Sequence, residues 1–471
     1  VPKGTYSIIE TTPEGLIDGK AHIGRISGIE VGAAIGGGLI RDIVLPAGAT
    51  GTRYDFCEAA PAQISGYVYH DRNNDGRRDS GEEAIPGATI ELVNASGQVV
   101  ATTQTDLLGL YKFTGLQPGN YSIRQVQPAG FLDGRDTAGT IDGSTIGTAV
   151  NPGDLITSVA IRQGQTGINY NFGELRPATL SGRVHVDTDG DCLYDPGELL
   201  LSGVRIRLLN ASGVEIASTQ TNIQGEYTFN DIPPGTYTVI EEQPEGYFSG
   251  TARPGSAGGI KETDDRIGSI TLSSGEVAVN YDFCEKPPAE ISGYVYVDQN
   301  NNNRRDSGEA AIPSTRVDLI DSTGRQVATT TTDASGFYRF TFLPAGQYTL
   351  RQTQPAGFLQ GGQQAGSGGG DDSLQDVISQ VVIAYGAVLT DYNFGELLPS
   401  SLSGYVFVDG NGDCFRQDNE PGLAGVRIDL FDGAGQLITF THTNEQGFYE
   451  FEGLVPGQYR VVETQPAGYF S

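Results

Sequence analysis

The sequence predicts an all-β protein built as a tandem array of β-sandwich domains, and three observations support this. The stretch ISGYVYHD begins at Ile64 and recurs as LSGRVHVD at Leu180, ISGYVYVD at Ile291 and LSGYVFVD at Leu402. Apolar and polar side chains alternate in short runs such as VRIRLL at 204–209, which is the period of a half-buried strand. Gly 67 and Pro 23, with neither Met nor Trp, indicate strands and turns rather than helices.

The repeat starts are separated by 116, 111 and 111 residues (180−64, 291−180, 402−291). Around seven strands in roughly 110 residues are typical of a sandwich, whereas solenoid repeats have only about 20–45 residues. We therefore predict a first repeat that is the C-terminal half of a module (1–60), complete second, third and fourth repeats (61–176, 177–287 and 288–398), and a fifth that is the N-terminal half of a module (399–471).

The two half-modules overlap, because PKGTYSIIETTPEG near one end matches PGQYRVVETQPAG near the other. Head-to-tail complementation between chains would therefore duplicate one strand. A window taken from a longer array is the simpler interpretation, with strand exchange as the alternative. Val1 is not an initiator Met and no signal peptide is visible, which agrees with a processed product or such a window.

Charge and hydropathy argue against nucleic-acid binding and against a membrane span. A net charge of −29 repels nucleic acid, whereas acidic residues at ligand spacing favour divalent cations. No apolar run approaches the ~18 residues of a membrane span. We therefore expect neither nucleic-acid binding nor a membrane span in this segment.

Each opening strand leads into a twelve-residue acidic loop. Oxygen-ligand loops for calcium place carboxylate, amide or backbone oxygens at positions 1, 3, 5, 7, 9 and 12, with glycine at position 6. The predicted ligands in the four loops are Asp71, Asn73, Asp75, the Arg77 carbonyl, Asp79 and Glu82; Asp187, Asp189, Asp191, Asp195 and Glu198; Asp298, Asn300, Asn302, Asp306 and Glu309; and Asp409, Asn411, Asp413 and Glu420.

No helical periodicity flanks these loops, so they would be calcium loops on a β scaffold. One such match is a weak signal, but four matches at the same place in four repeats are a strong one. The alternative is a solvated acidic turn. Magnesium fits less well because it prefers few protein ligands and retained waters.

The complete repeats alternate between two kinds. The third repeat carries Cys192 at loop position 6 and Cys284 in its closing DFCE, whereas the second and fourth lack cysteine and close with NFGE. An opening strand of about eight residues at ~3.3 Å each can deliver the loop to the far pole of a sandwich, where the closing strand also ends if the repeats run end to end. We therefore predict a Cys192–Cys284 disulfide and an oxidising, extracellular setting. Two buried free thiols remain an alternative, and a zinc site is a weaker one.

By the same reasoning, Cys57 and Cys414 have lost their partners at the two ends of the sequence. In a longer array each cysteine would pair within its own repeat.

Short proline-containing linkers join the repeats and predict semi-rigid junctions. A glutamate precedes each linker and is either a ligand, a cap or a solvated side chain: Glu58, Glu174, Glu285 and Glu396. Aromatic residues follow QPxG and either pack the joint between repeats or dock on a partner: Tyr247, Phe248, Tyr469 and Phe470.

An enzyme is not expected. The four histidines are His22, His70, His185 and His442, and no Ser/His/Asp or Cys/His arrangement recurs among the repeats. His70 and His185 lie in opening strands, where a strand side chain with satisfied hydrogen bonds is the simpler interpretation.

From Ser65 to Glu174 the pattern SGYVYxDxNxDGxxDxGE…TDxxGxYxF…LxPGxYxI…QPxGF…NYNFGE resembles the SdrD B-like repeat of bacterial cell-surface adhesins, which is related to collagen-adhesin B-type stalk domains. The resemblance implies immunoglobulin-like or prealbumin-like sandwiches with calcium in the acidic loop. Related stalk domains often form an isopeptide bond from an opening-strand lysine. No opening strand here contains lysine, so we expect no isopeptide, and the disulfide would replace it.

The favoured function is structural: an extracellular, secreted or surface-attached repeat array, stiffened by calcium and disulfides, that self-associates into a fibre, stalk or filament. The alternative is an adhesin whose modules bind a host, glycan or neighbouring-cell ligand.

Overall fold

The computed structural model describes residues 1–470; the last residue of the predicted fifth repeat, Ser471, lies outside them. Every regular element in this range is a β-strand, as the alternating pattern predicts. No helix among these residues has the length and apolar character to cross a bilayer. The chain forms two compact units, one of Val1–His185, Leu200–Glu242 and Thr251–Phe283, and one of Val186–Leu199, Gln243–Gly250 and Cys284–Ser471.

The first repeat belongs to the first unit and forms three small sheets. Its strands are β1 (Gly4–Ile9), β2 (Ile17–His22), β3 (Arg25–Ile26), β4 (Ile29–Glu30), β5 (Ala33–Ala34), β6 (Leu39–Leu45), β7 (Gly51–Thr52) and β8 (Asp55–Ala59). The sheets are β1-β6-β5, β4-β3-β7 and β2-β8. Ile26, Ile40 and Ile43 form a small buried core.

The second repeat, also in the first unit, is a complete sandwich. Its strands are β9 (Ala62–His70), β10 (Thr89–Asn94), β11 (Val99–Gln104), β12 (Leu110–Leu116), β13 (Gly119–Gln125), β14 (Leu132–Asp133), β15 (Thr140–Ile141), β16 (Ser144–Thr145), β17 (Thr148–Val150), β18 (Leu155–Ile161), β19 (Thr166–Ile168) and β20 (Phe172–Leu175). One sheet has the order β11-β10-β13-β18-β17 and the other β14-β20-β9-β19-β15-β16, with β12 paired to β9. The inward residues of both sheets form one core that includes Ile64, Ile90, Ile123 and Phe172.

The third repeat is divided between the two units. Its strands are β21 (Ala178–Val186), β22 (Arg205–Asn210), β23 (Glu215–Gln220), β24 (Glu226–Ile232), β25 (Gly235–Glu241), β26 (Phe248–Arg253), β27 (Ile260–Thr263), β28 (Arg266–Leu272), β29 (Val277–Ala278) and β30 (Asp282–Lys286). Within the first unit, the sheet β23-β22-β25-β28-β27 has the same order as the first sheet of the second repeat, and β21 pairs antiparallel with β24 and parallel with β29.

The fourth repeat belongs to the second unit and has the same two-sheet arrangement. Its strands are β31 (Ala289–Val297), β32 (Arg316–Asp321), β33 (Gln326–Thr331), β34 (Phe337–Leu343), β35 (Gly346–Gln352), β36 (Leu359–Gln364), β37 (Asp371–Leu374), β38 (Val377–Ile383), β39 (Val388–Leu389) and β40 (Asn393–Leu397). The sheets are β33-β32-β35-β38-β37 and β34-β31-β40-β36, with β39 paired to β31.

The described part of the fifth repeat has five strands, which correspond to the N-terminal half of a module. They are β41 (Ser400–Tyr405), β42 (Arg427–Asp432), β43 (Leu437–His442), β44 (Phe448–Leu454) and β45 (Tyr459–Glu463). They form the pair β41-β44 and the sheet β43-β42-β45 around Val426, Ile428 and Leu430.

The glycine-rich stretch of each complete repeat forms extra short strands, β14–β17 in the second repeat and β36–β37 in the fourth. Within residues 62–175 there are twelve strands rather than the roughly seven expected. These extra strands were not predicted because glycine has no side chain that could show the alternation of apolar and polar residues typical of a strand.

The glycine of the Ser-Gly pair within the opening strand of each complete repeat has a steric cause. A Cβ on Gly66 would lie 1.7 Å from the carbonyl oxygen of Tyr170, so only glycine permits this approach of two strands. The same carbonyl accepts a hydrogen bond of 2.7 Å from the buried Tyr111 hydroxyl. Gly182 and Gly293 make the equivalent approach in the next two repeats.

Candidate functional site

In the second and fourth repeats the opening and closing strands run parallel and end at the same pole of the sandwich. In the second repeat β9 and β20 pair in parallel, with Glu174 opposite His70. The amide of Asp71, the first loop residue, donates to the Glu174 carbonyl at 2.9 Å. Equivalent bonds of 2.8 Å join Asp187 to Glu285 and Asp298 to Glu396. The last strand therefore fixes the start of each acidic loop in the three complete repeats.

The first carboxylate of each loop points into the loop. The two oxygens of Asp71 accept hydrogen bonds from the amides of Asp75 (3.2 Å) and Gly76 (2.7 Å). Asp298 accepts in the same way from Asn302 (3.1 Å) and Asn303 (2.7 Å). Asp71 is fully buried, and burial raises the pKa of its carboxyl, partly offset by these amides.

The glutamate at position 12 closes each loop. Glu82 accepts from the amides of Arg72 (3.0 Å) and Asp79 (2.9 Å), one on each oxygen. Glu198, Glu309 and Glu420 bond the amides at positions 2 and 9 of their own loops at 2.8–3.1 Å. The four loops thus share one backbone conformation, as their common spacing predicts.

The side chains at ligand positions 3 and 5 accept hydrogen bonds from the backbone amides two residues further along the loop. Asn73 accepts from the Asp75 amide at 3.1 Å, and Asp75 accepts from the Arg77 amide at 2.8 Å. In the last loop Asn411 accepts from the Asp413 amide at 3.0 Å.

Loop position 6 requires a left-handed backbone in all four loops. The φ angles are 76° at Gly76, 56° at Cys192, 61° at Asn303 and 64° at Cys414. This is why glycine or asparagine suits the position, and why a cysteine there carries a cost of about 1–2 kcal/mol.

The carboxylates converge most closely in the third repeat. Oxygens of Asp187, Asp189 and Glu198 lie within 4.8 Å of one another, and so do those of Asp189, Asp191 and Asp195. A divalent cation would relieve the repulsion among such like charges. The donor set, which consists only of oxygens at the predicted spacing, fits calcium.

Neutral amides bridge the acids in two other loops. The Asn300 and Asn302 side-chain amides donate to Asp306 at 2.9 and 2.8 Å, and the Gln417 amide donates to Asp413 at 2.8 Å. The amide bonds lower the pKa of the Asp306 carboxyl. In these loops an ion would have to displace amide nitrogens, which the all-carboxylate loop of the third repeat does not require.

An arginine that the sequence analysis missed anchors three loops to their opening strands. Arg78, Arg305 and Arg416 lie over the rings of Tyr67, Tyr294 and Tyr405 at 4.2, 3.8 and 4.1 Å. In the third repeat the two residue types are exchanged, since Arg183 occupies the strand position and Tyr194 the loop position. This exchange of arginine and tyrosine between the two positions is visible when the repeats are aligned, and it could have predicted the contact from the sequence.

The predicted disulfide between Cys192 and Cys284 is present. The two Cα atoms are 5.5 Å apart, 92 residues separate the cysteines in sequence, and both side chains are buried. Cys57 and Cys414 are free and exposed. The disulfide ties position 6 of the acidic loop to the closing strand.

The glutamates before the linkers are not solvated in the complete repeats, so that interpretation was wrong for them. Glu174, Glu285 and Glu396 are 0, 0 and 1% exposed. Gln125 and Gln127 donate side-chain hydrogen bonds to the Glu174 carboxylate, and Gln352 and Gln354 do so to Glu396. Burial still raises the pKa of Glu174 to about 8 and that of Glu396 to about 7. Sequence reasoning missed this because the glutamines lie 42–49 residues away.

We call the contact between two successive repeats a joint. The joint between the second and third repeats is polar. The His70 Nε2 atom lies 2.8 Å from the Ser274 hydroxyl, which also accepts from the Arg176 amide at 2.8 Å. Arg176 pairs with Glu83 at 2.6 Å. His70 therefore has a partner at Nε2, but its buried Nδ1 has none, so the expectation of a satisfied strand side chain holds for only one of the two ring nitrogens.

The joint that follows the third repeat is aromatic. The Phe248 ring is 4.6 Å from that of Phe342 and 6.0 Å from that of Tyr385. The Lys286 ammonium lies 5.1 Å from the Tyr385 ring centre. Joint packing, rather than docking on a partner, is therefore confirmed for Phe248, while Phe470 is fully exposed.

The sequence profile of the SdrD B-like domain matches residues 62–174, 178–284, 289–395 and 400–471. Serine-aspartate repeat-containing protein D of Staphylococcus aureus (strain MW2) is 30% identical over 410 residues, which make up 86% of this chain and 30% of that protein. Serine-aspartate repeat-containing protein F of Staphylococcus epidermidis is 29% identical over 419 residues, 86% of this chain and 24% of that protein. The chain spans less than a third of the length of these relatives.

Solved structures are more distant. The Bacillus anthracis TIE protein aligns with 98% of this chain and 72% of its own, at 16% identity and a TM-score of 0.34. BcpA, the major pilin subunit of Bacillus cereus, aligns with 72% of this chain and 99% of its own, at 13% identity and a TM-score of 0.29. Both TM-scores are too low to support a conclusion about this chain.

Proposed function

The chain belongs to the SdrD B-like domain family, and on that premise we propose that it is a structural array whose calcium loops and disulfides stiffen a fibre, stalk or filament. Family membership places it outside the cell or at the cell surface. Modules of this kind have structural or adhesive roles rather than enzymatic ones. The position of the loops supports the finer role that we propose, constitutive stiffening.

The observation that carries this proposal is the recurrence of one loop at one pole. Each complete repeat anchors the first loop residue to the glutamate carbonyl of its closing strand, at 2.8–2.9 Å. A cation bound in the loop would therefore brace the opening strand against the closing strand. Calcium suits the donor set because it accepts six to eight oxygen ligands in flexible geometry. Extracellular modules commonly bind it at about 10⁻⁴–10⁻³ M, which favours constitutive stiffening over signalling.

Backbone hydrogen bonds at the linkers support a stiff array. The Gly164, Gly275 and Gly386 amides donate to the carbonyls of Ala60, Arg176 and Pro287, each at 2.9 Å. The turn that contains each glycine therefore binds the linker that precedes its own repeat. Linkers fixed in this way limit rotation between neighbouring repeats.

Electron microscopy of the native material with and without a calcium chelator tests the proposal. Ordered filaments with an axial repeat of two modules, loosening on chelation, are the expected result. Isolated flexible strings that never associate would contradict filament formation and favour the adhesin alternative.

Glu309→Gln is expected to remove one bound calcium ion from the chain. The loss of a carboxylate at position 12 weakens the bidentate ligand that calcium loops use there. Calcium bound at saturation, measured by equilibrium dialysis, should fall by one. Calcium should also stabilise the fourth repeat less, measured as the shift of its melting transition.

The matched control is Glu290→Gln, which makes the same charge change in the opening strand of the same repeat. Glu290 pairs only at 3.6 Å with Arg339 at the surface. Its substitution should leave the calcium count unchanged, and an unchanged count for Glu309→Gln would contradict a calcium site in that loop.

Phe342→Gly is expected to loosen the aromatic joint with little effect on the fourth repeat itself. Phe342 has a φ of 56°, and the equivalent residues Gly115, Asp231 and Gly453 also have positive φ. A phenylalanine there is strained by about 1–2 kcal/mol, which roughly offsets the greater freedom of glycine in the unfolded chain. The lost contact with Phe248 is worth about 0.5–1.5 kcal/mol.

Amide hydrogen exchange locates this effect. The Gly386 amide, bonded to the Pro287 carbonyl, should exchange up to about tenfold faster in the variant. The Gly164 and Gly275 amides at the other joints serve as internal controls. Equal exchange at Gly386 in both proteins would show that the ring does not hold the joint.

A further inference from the structure

The first sheet of each complete repeat ends in an edge strand that pairs along one side only. These strands are β11, β23 and β33, and their partners are β10, β22 and β32. β43 holds the same place in the fifth repeat, beside β42. Within residues 1–470 no other strand adds to these four edges. Each edge therefore presents a row of backbone donors and acceptors that another strand can satisfy.

The hydrogen bonds at the end of β11 show which backbone groups face outward. The Thr105 amide donates to the Ala88 carbonyl at 3.0 Å, and the Thr105 carbonyl accepts from the Gly87 amide at 2.9 Å. Both groups of Thr105 thus face the sheet. Because the backbone groups of successive residues in an antiparallel strand face opposite sides, those of Thr102 and Gln104 face away from β10. The same alternation, counted from the equivalent threonines, gives the outward residues of the other three edges: Ser218 and Gln220, Thr329 and Thr331, and Phe440 and His442.

Charge is almost absent from these edges. β11, β33 and β43 contain no Asp, Glu, Lys or Arg, and the one acid of β23, Glu215, pairs with Arg205 and Arg207. A bulge falls at the beginning of β11, but its last four residues pair in regular register with residues 89–92. An uncharged, regular edge is able to accept another strand. The second residue of each edge is β-branched, apolar and 39–50% exposed: Val100, Ile216, Val327 and Ile438.

The edge strand of the other sheet carries the protection that these edges lack. β12 and β34 expose the charged side chains Lys112 and Arg339. The pairing register of both strands shifts near their ends, where Gly115 and Phe342 have a left-handed backbone. Charges and bulges hinder the pairing of a strand edge with another chain. The two kinds of edge therefore differ in their capacity for strand addition.

A second copy of this chain is the partner that fits these edges. The edge strands begin 116, 111 and 111 residues apart (215−99, 326−215, 437−326), and a second copy has edges at the same intervals. Its net charge of −29 repels a like chain, so two copies approach most easily where charge is absent. Identical edges are also complementary, because two outward residues supply two amide donors and two carbonyl acceptors to an antiparallel copy.

We propose that these edge strands are the lateral contact between two arrays, each pairing antiparallel with the equivalent strand of a second copy of the chain. In the complete repeats, two five-stranded sheets would thereby join into one continuous sheet. One such pair is weak, but several pairs along one array act together and raise the affinity by about 10²–10⁴. The proposal rests on the self-association proposed above and names the surface that carries it.

Sedimentation velocity of the full chain over a range of concentrations, with calcium present, tests this contact. The triple variant Thr102→Pro, Ser218→Pro, Thr329→Pro removes one outward amide from each complete repeat and leaves the bonds within each sheet in place. Proline is tolerated where the amide of an edge strand faces solvent. The parent should associate, and the variant should associate about 100-fold more weakly. Circular dichroism melting verifies that the variant folds.

The control variant Lys112→Pro, Thr228→Pro, Arg339→Pro makes the same change on the edge strands of the other sheet. The Leu110 carbonyl accepts from the Asp106 amide in the preceding turn, so by alternation the Lys112 amide also faces outward. This variant should associate like the parent. A folded edge variant that associates as strongly as the parent overturns the contact and leaves self-association standing. A parent that stays a single chain at every concentration contradicts the proposed self-association as well.

Amide hydrogen exchange in the parent is a second measurement, and it needs no substitution. In the assembled state the outward Thr102 amide should exchange about tenfold more slowly than in dilute single chains, because it gains a hydrogen bond. The Thr103 amide faces β10 and should exchange equally in both states. An outward amide that exchanges at the same rate in both states overturns the contact, even where the chain assembles.

Discussion

Replacing both Cys192 and Cys284 with glycine is expected to lower the free energy of unfolding of the third repeat by about 4 kcal/mol. The disulfide closes 92 residues, and the chain-entropy model assigns about 4–5 kcal/mol to a loop of that size. Glycine is the matched replacement, because the second repeat has Gly76 and Gly173 at these two positions. Position 192 has a φ of 56°, so glycine relieves about 1–2 kcal/mol of backbone strain there, which roughly offsets the greater freedom of glycine in the unfolded chain.

Scanning calorimetry of the full chain measures this effect repeat by repeat. One transition should move down by roughly 15–30 °C in the variant, since 1 kcal/mol corresponds to about 4–8 °C for a domain of this size. A reducing agent should produce the same shift in the parent and none in the variant. Cys57→Ser and Cys414→Ser, at exposed free thiols, should leave the transition in place. A parent melting profile that is insensitive to reduction would contradict a structural role for the disulfide.

The elements that the sequence predicted best are those whose signal is local or repeated. The alternation of apolar and polar residues in runs such as 204–209 predicted strands. The recurrence of a glycine equivalent to Gly66 in the opening strands identified the beginning of each repeat. The disulfide was predictable because Cys192 and Cys284 occur together in one kind of repeat and both are absent from the other. For the repeat starts and the disulfide, the comparison among repeats supplied information that a single domain would not have held.

What the sequence did not reveal depends on contacts between distant segments. Glu174 precedes a proline-containing linker, which allowed a solvated side chain, yet Gln125 at the end of β13 and Gln127 just after it donate hydrogen bonds to its carboxylate. Asp136 lies in a glycine-rich stretch without periodicity, and its burial follows from strand pairing that only the fold specifies. Phe342 reads as an ordinary strand residue, but its left-handed backbone places the ring against Phe248.

The joints after the second and third repeats differ in their chemistry. The joint after the second repeat uses a buried histidine and an ion pair, while the joint after the third uses three aromatic rings. Aromatic contacts are insensitive to salt, whereas exposed ion pairs weaken as ionic strength rises. Raising ionic strength should therefore weaken the joint after the second repeat more than the joint after the third.

Gly293→Ala is expected to destabilise the fourth repeat by about 3 kcal/mol or more, enough to unfold it at moderate temperature. A Cβ at this position would lie 1.8 Å from the carbonyl oxygen of Tyr392, and real Cβ atoms do not approach backbone so closely. The strand cannot retreat without loss, because the Tyr392 amide donates to the Ser292 carbonyl at 3.2 Å and the Tyr338 hydroxyl donates to the Tyr392 carbonyl at 2.6 Å. The clash therefore breaks a buried hydrogen-bond arrangement as well as the packing, which places it among the severe single substitutions.

Gly346→Ala is the matched control in the same repeat. Its Cβ would meet only the Tyr348 ring, at 3.4 Å, in ordinary contact and without a left-handed backbone. Because alanine also loses less entropy on folding, this variant should be neutral or more stable by up to about 1 kcal/mol. Calorimetry should then show the transition of the fourth repeat lost or strongly lowered in Gly293→Ala alone. Similar melting of the two variants would mean that the opening strand can shift away from Tyr392, and that this approach does not explain the glycine in the opening strands of the complete repeats.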